Sequence, residues 1–415
     1  MKTKKFLSMA ALALVGAMMT GCSNDDDILQ PENKTNVVTL TATVGFDDGA
    51  TTRALTIDGN KGVKTFGAGD QIAVIYKNSS DQTLKAVGTI TSGAGTKTAT
   101  FSVTLSAPDN TKAIRYIYPA AMAKETIATN ATIDDAGTVD FTKLNSQNGS
   151  LTTLGSSLDL CTFDAADWTS GTLPNGNLAN QLAILAINLK NSTDITSTIT
   201  DLSLSDGTNT YAVSRSAVAG PIYVAIRPTS DASLSVIATA GTNYYGKYLT
   251  GKTYAVNNGY NVTWNMTPLT KVTWDNTNVF NDSHEMDMLS YFSSTPLTYE
   301  GGITISGVFS YDGGSSFMPY RMGMGDAFLN VTSDESCTDS FTFTASGGKN
   351  FYKIEITGFP MNLHDANWSL QGHLLVEGSS FIWSKAPSNT VTITASPAYS
   401  STNFNYVTSM VFLTD

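Results

Sequence analysis

Cysteine, histidine and charge are all scarce in this chain of 415 residues, which holds three cysteines, three histidines and only 14% charged side chains. Three cysteines are too few for a disulfide framework, and His284, His364 and His373 match no standard zinc spacing. Basic residues number 24 against 35 acidic ones, for a net charge of −11, which argues against charge-driven binding to nucleic acid or an anionic bilayer surface. Helical periodicity is nearly absent, with one short helix expected at Ser283 to Phe292. No Gly-x-Ser-x-Gly elbow occurs, and acidic neighbours such as Asp47-Asp48 and Asp134-Asp135 point apart on a strand or loop, so neither reads as a glycosidase pair. No enzyme activity, metal or cofactor is expected.

What the chain does hold begins at its start. Lys2, Lys4 and Lys5 precede the apolar run Phe6 to Met19, too short to span a bilayer stably, and Met19-Thr20-Gly21-Cys22 closes it with a lipobox-like sequence. Residues 1–21 therefore read as a bacterial lipoprotein signal peptide, with Cys22 as the lipid attachment site and the outer membrane as partner through that lipid. Ser23-Asn24-Asp25-Asp26-Asp27 resembles an acidic export signal for lipoproteins displayed on the cell surface, and residues 22–36 form an acidic, polar tether. Loss of residues 1–21 removes three lysines and leaves a charge of −14.

The remainder reads as an all-β chain: 34 glycines, abundant Thr, Ser and Asn, and short β-branched and aromatic runs. Val38, Leu40, Ala42, Val44 and Phe46 alternate with polar residues, which predicts a strand with one buried face. The small polar loop Asp47 to Arg53 follows, with a lone arginine before Ala54, the kind of segment that proteases cut. Thr65-Phe66-Gly67-Ala68-Gly69-Asp70-Gln71-Ile72 then predicts a two-glycine turn feeding the apolar strand Ile72 to Tyr76.

Lipobox leader, early alternating strand, Thr52-Arg53 loop and the aromatic-x-x-Gly-Asp-x-Ile turn, in that order, make the chain resemble the fimbrillin-like family of type V pilins and their relatives. The resemblance runs through Ile114 to Pro119 and Leu182 to Leu189 and ends near Pro268, after a strand carrying Tyr260, Val262, Trp264 and Met266. It implies a fimbrillin-like β-sandwich domain over residues 37–180 and a second over 181–268. It also implies a mechanism. An arginine-specific protease cuts between Arg53 and Ala54, the lipidated segment leaves with the strand bearing Val38, Leu40, Ala42, Val44 and Phe46, and the groove takes a donor strand from another pilin subunit. A loop arginine that is never cut is the alternative.

Residues 271–415 depart from a plain pilin and predict a third β-sandwich, with strands at Ile303 to Phe309, Phe341 to Ala345, Phe351 to Thr357, Thr390 to Ala395 and Tyr406 to Leu413. Such a module suggests a tip or accessory adhesion subunit, and Trp274, Tyr299, Tyr311, Tyr320, Trp368 and Trp383 are candidate aromatics for stacking on glycan, with core placement as the alternative. The alternative function is a non-assembling surface lipoprotein that binds glycan or host protein. Asn403 to Leu413 is either a donor strand or, the reading preferred here, the closing strand of the last sandwich. Gly246 to Thr253 matches the P-loop pattern, but the Asn257-Asn258-Gly259 turn behind it stops any helix. Cys161 and Cys337 are expected as buried thiols, with a bridge between them as the alternative.

Overall fold

Strand-forming patterns dominate the sequence, and in the computed structural model the chain is all-β, its helical segments among the described residues being five residues or fewer. The structure describes residues 37–46, 54–58, 61–63, 65–275, 297–310, 329–331, 338–358, 361–365, 373–375, 379–396 and 405–415. The helix expected at Ser283 to Phe292 lies outside them, as does Cys337.

Seven strands close the first sheet on itself. Val37–Phe46 is followed around the barrel by Gly176–Asn180, Cys161–Ala165, Ile114–Tyr118, Gln71–Lys77, Thr83–Ser92 and Thr98–Ser106, which returns to Val37–Phe46. Alternation sorts the side chains: Ile72, Val74 and Tyr76 fill the barrel while Ala73 and Ile75 face a second core. Burial on both faces is why Ile72 to Tyr76 reads as an unbroken apolar run. Cys161 is buried in the barrel, its thiol donating to the Asp159 carbonyl at 3.8 Å.

The second core lies between a small sheet centred on Ala183–Asn191 and a larger one built on the hairpin Thr229–Ala240 and Asn243–Tyr254. Gln147 joins them to the chain before: its side chain donates to the Ala225 carbonyl and accepts from the Ala225 N–H, 2.8 and 2.9 Å away, as a neighbouring strand would.

The third core sits between the six-stranded sheet that holds Ile303–Ser310, Thr338–Ala345 and Thr390–Ser396 and the far end of the larger sheet. That larger sheet runs unbroken from the hairpin to Ser379–Trp383. Its keystone is Asn405–Thr414, paired antiparallel with Thr267–Trp274 on one side and Phe351–Gly358 on the other, with Met410 and Phe412 buried. Its apolar character on the core side follows from that central position.

Candidate functional site

The first strand is held unequally along its length. Nine successive residues, Val37 to Gly45, pair antiparallel with Ser106 to Thr98, but on the other edge only Val44 to Phe46 pair, parallel with Gly176 to Leu178. Burial follows the pairing. Val38 and Leu40 are half-buried, whereas Ala42, Val44 and Phe46 are buried in the barrel core. At roughly 1.5–3 kcal/mol for each large apolar side chain removed from water, most of the strand's attachment sits in its last five residues.

Threonines line its outer face. The Thr39 and Thr104 hydroxyls are 3.0 Å apart, those of Thr43 and Thr100 3.3 Å, and the Thr43 N–H donates to the Asn175 side chain at 2.6 Å. These cross-strand hydroxyl pairs suit the β-branched, solvent-facing positions that the alternation predicts. At the strand's entry, the Tyr76 hydroxyl accepts from the Ser106 N–H at 2.9 Å, and burial raises its pKa even against that backbone bond.

The turn Thr65 to Asp70 packs over the end of the first strand. Gly69 has φ +76°, a conformation that glycine adopts freely. The Asp70 carboxylate accepts from the Gly67 N–H at 2.7 Å and from the Tyr118 hydroxyl at 2.6 Å, tying the turn to the barrel wall. Phe66 thereby lies over the end of the first strand, its ring stacked on Phe46 at 4.2 Å, while Tyr118 meets both rings edge-on at 5.5 and 5.2 Å. The opposite wall requires Gly176, because a Cβ there would stand 2.0 Å from the Phe163 ring, which itself packs against Tyr116. Tyr116 donates to the Pro174 carbonyl at 2.8 Å, and burial drives its pKa far above the ordinary value.

The structure brings Val38, Leu40, Ala42, Val44 and Phe46 together on one strand, as expected. Cys22 and Arg53 lie outside the described residues; Ala54 opens the strand Ala54–Asp58, which pairs with Lys61–Val63. Phe66, Asp70 and Tyr118 belong to the segments that carry the family resemblance, yet their role as the pocket around Phe46 was not read from them. The aromatic at the head of the Gly-Asp turn was the available signal.

Two of the candidate glycan-stacking aromatics are corrected. Trp274 is fully buried and Trp383 is 5% exposed, both within the third core, where no ring face is left for a sugar. Trp274 packs edge-on against Phe412 at 4.7 Å and donates its indole N–H to the Glu300 carbonyl at 3.3 Å. Tyr311, Tyr320 and Trp368 lie outside the described residues. The P-loop-like segment Gly246 to Thr253 is part of the strand Asn243–Tyr254, so its amides serve a β-ladder rather than a phosphate cradle. Asp134 accepts from the Gly137 N–H and caps a four-residue helix, and Asp135 pairs with the buried Arg115. Among the described residues no three metal-ligating side chains gather.

No family model matches the chain, and no curated protein matches it significantly. Among solved structures it is similar to a fimbrial assembly protein from Parabacteroides distasonis, at 10% identity, 55% of this chain, 90% of that one and a TM-score of 0.31. It is similar also to proteins provisionally named for cell adhesion. One from Bacteroides ovatus gives 12% identity, 55% and 94% coverage and a TM-score of 0.32; one from Bacteroides fragilis gives 12%, 55% and 93%, and 0.29.

Proposed function

We propose that this chain is a cell-surface adhesion protein, a tip or accessory subunit of a type V pilus that receives a strand from another pilin subunit. Before assembly, a lipid on Cys22, palmitate among its acyl chains, tethers it to the outer membrane. The observation that carries the reading is the first strand. It occupies one position in an otherwise continuous barrel, directly before the loop that ends at Arg53, so release of the strand after a cut there opens a groove with two unpaired edges.

A second observation favours a terminal or accessory place over a stalk. The strand Asn405–Thr414 is paired on both sides and contributes Met410 and Phe412 to the third core, so it is not available to fill a neighbour's groove. The chain then accepts a strand without giving that one.

Limited digestion of the folded, non-lipidated protein with an arginine-specific protease tests this. One cut after Arg53, release of the first strand and capture by a partner subunit are expected. Resistance at Arg53, or a cut with the strand retained and no assembly, instead assigns a tethered surface lipoprotein that binds glycan or host protein. Incorporation of labelled palmitate, abolished by Cys22→Ala, checks the anchor.

A further inference from the structure

The groove left by the first strand is not uniform, and its shape says which strand fits it. At its deep end Phe46 is enclosed by Phe66 and Tyr118, and the Tyr118–Asp70 bond at 2.6 Å, with the Gly67–Asp70 bond at 2.7 Å, ties that wall together independently of any bond to the first strand. Two positions earlier Val44 is fully buried between both edges. Two positions earlier again stands Ala42, buried directly opposite Phe101, whose ring is fixed edge-on to Tyr116 at 5.2 Å. Directly opposed side chains on one sheet face are only about 5 Å apart at Cβ, so Phe101 leaves little room for anything larger than alanine. Leu40 and Val38 are half-buried and paired on one edge alone.

We propose that this groove selects its incoming strand by a three-position code, a small residue, then a β-branched residue, then an aromatic, at alternate positions i, i+2 and i+4. The partner is a strand of a different subunit carrying that pattern. The inference rests on the strand-exchange reading above and goes further by naming what the strand must present. It excludes the chain's own C-terminal strand: with Phe412 in the aromatic slot, Met410 falls in the β-branched slot and Thr408 brings a hydroxyl to the alanine slot. The same strand is already engaged on both edges. Discrimination of this kind combines a pocket that rewards the right side chain with a neighbour that penalises a wrong one.

The test uses the full chain cut after Arg53 and a labelled synthetic decapeptide of sequence Val37 to Phe46, displaced by unlabelled variants. Capture of the parent decapeptide is expected. Phe46→Ala should weaken it by about a hundredfold or more, from the cost of a lost buried ring. Ala42→Leu should weaken it by about tenfold, from overpacking. Leu40→Ala should stay within about threefold, and a peptide copying Asn405 to Thr414 should not compete. Equal capture of all of these overturns the code.

If the parent decapeptide itself is not captured, exchange fails. The code is then decided on the uncut chain by hydrogen exchange at the Thr98–Ser106 amides. Faster exchange in Phe46→Ala and Ala42→Leu, but not in Leu40→Ala, supports it, and equal effects at the three positions overturn it.

Discussion

The rings of Phe46 and Phe66 stack with centroids 4.2 Å apart and planes 19° from parallel, joining the last residue of the first strand to the aromatic of the turn Thr65 to Asp70. Nineteen residues separate them in sequence, and all of the loop that carries Arg53 lies between. The turn is therefore a clasp on the strand's end. Phe66→Ala should destabilise the barrel by about 3–5 kcal/mol, as other buried phenylalanine truncations do, and should speed hydrogen exchange at Thr98–Ser106. Asp70→Asn keeps the ring but weakens two hydrogen bonds to a carboxylate, and should cost about 1–3 kcal/mol in denaturant titration.

Removal of the C-terminal strand separates the two roles considered for it. Truncation after Asn403 takes away Met410 and Phe412 and unpairs both Thr267–Trp274 and Phe351–Gly358. We expect the third core to lose cooperative unfolding and become protease-sensitive while the barrel keeps its own transition. A folded third core that merely stops joining a partner would be the donor-strand outcome, and the pairing argues against it.

Trp274→Ala and Trp383→Ala should each lower stability by about 3–5 kcal/mol, measured by thermal or denaturant unfolding. Both indoles are buried among Phe343, Phe351, Ile354 and Phe412. A variant at either position that keeps its stability and loses only glycan binding would contradict their place in the core.

Alkaline pH offers a further check. Tyr211 is 1% exposed, and burial pushes its pKa up to about 12, partly offset by the hydrogen bond it accepts from the Arg227 N–H at 3.1 Å. A phenol whose folded pKa exceeds its unfolded value of about 10 contributes stability that is complete below pH 10 and is lost as pH rises toward 12. A shift of that size is worth roughly 3 kcal/mol. Tyr211→Phe should flatten the stability curve in this window, as read by melting temperatures from pH 8 to 12.

Much of the secondary structure is legible one residue at a time. Alternation in Val38 to Phe46 gives the first strand and its buried face, and the unbroken run Ile72 to Tyr76 gives a strand covered on both sides. Strands expected at Ile303, Phe341, Phe351, Thr390 and Tyr406 occur there within a few residues. The candidate groove was half legible: its occupant was readable, its walls were not. Phe66 and Tyr118 look like ordinary buried aromatics until Asp70 is seen to bind both the turn and the tyrosine. Trp274 and Trp383 were offered as ligand aromatics for a related reason, since a tryptophan at an alternating strand position has the same local sequence whether its face meets a core or solvent.

By itself, then, the amino-acid sequence determined the class of the fold and, for strands such as Val37–Phe46, the position and the buried face, because a period of two residues is written in neighbouring side chains. Tertiary structure decided which strands meet. Val37 pairs with Ser106, Val44 with both Ala99 and Gly176, and Thr270 with Thr414, partners separated by up to 144 residues. Backbone hydrogen bonds are alike at every residue, so pairing and register are chosen by the packing of whole cores rather than by any local pattern. For that reason the barrel's closure around the first strand, and the keystone place of the last strand, emerged only in three dimensions.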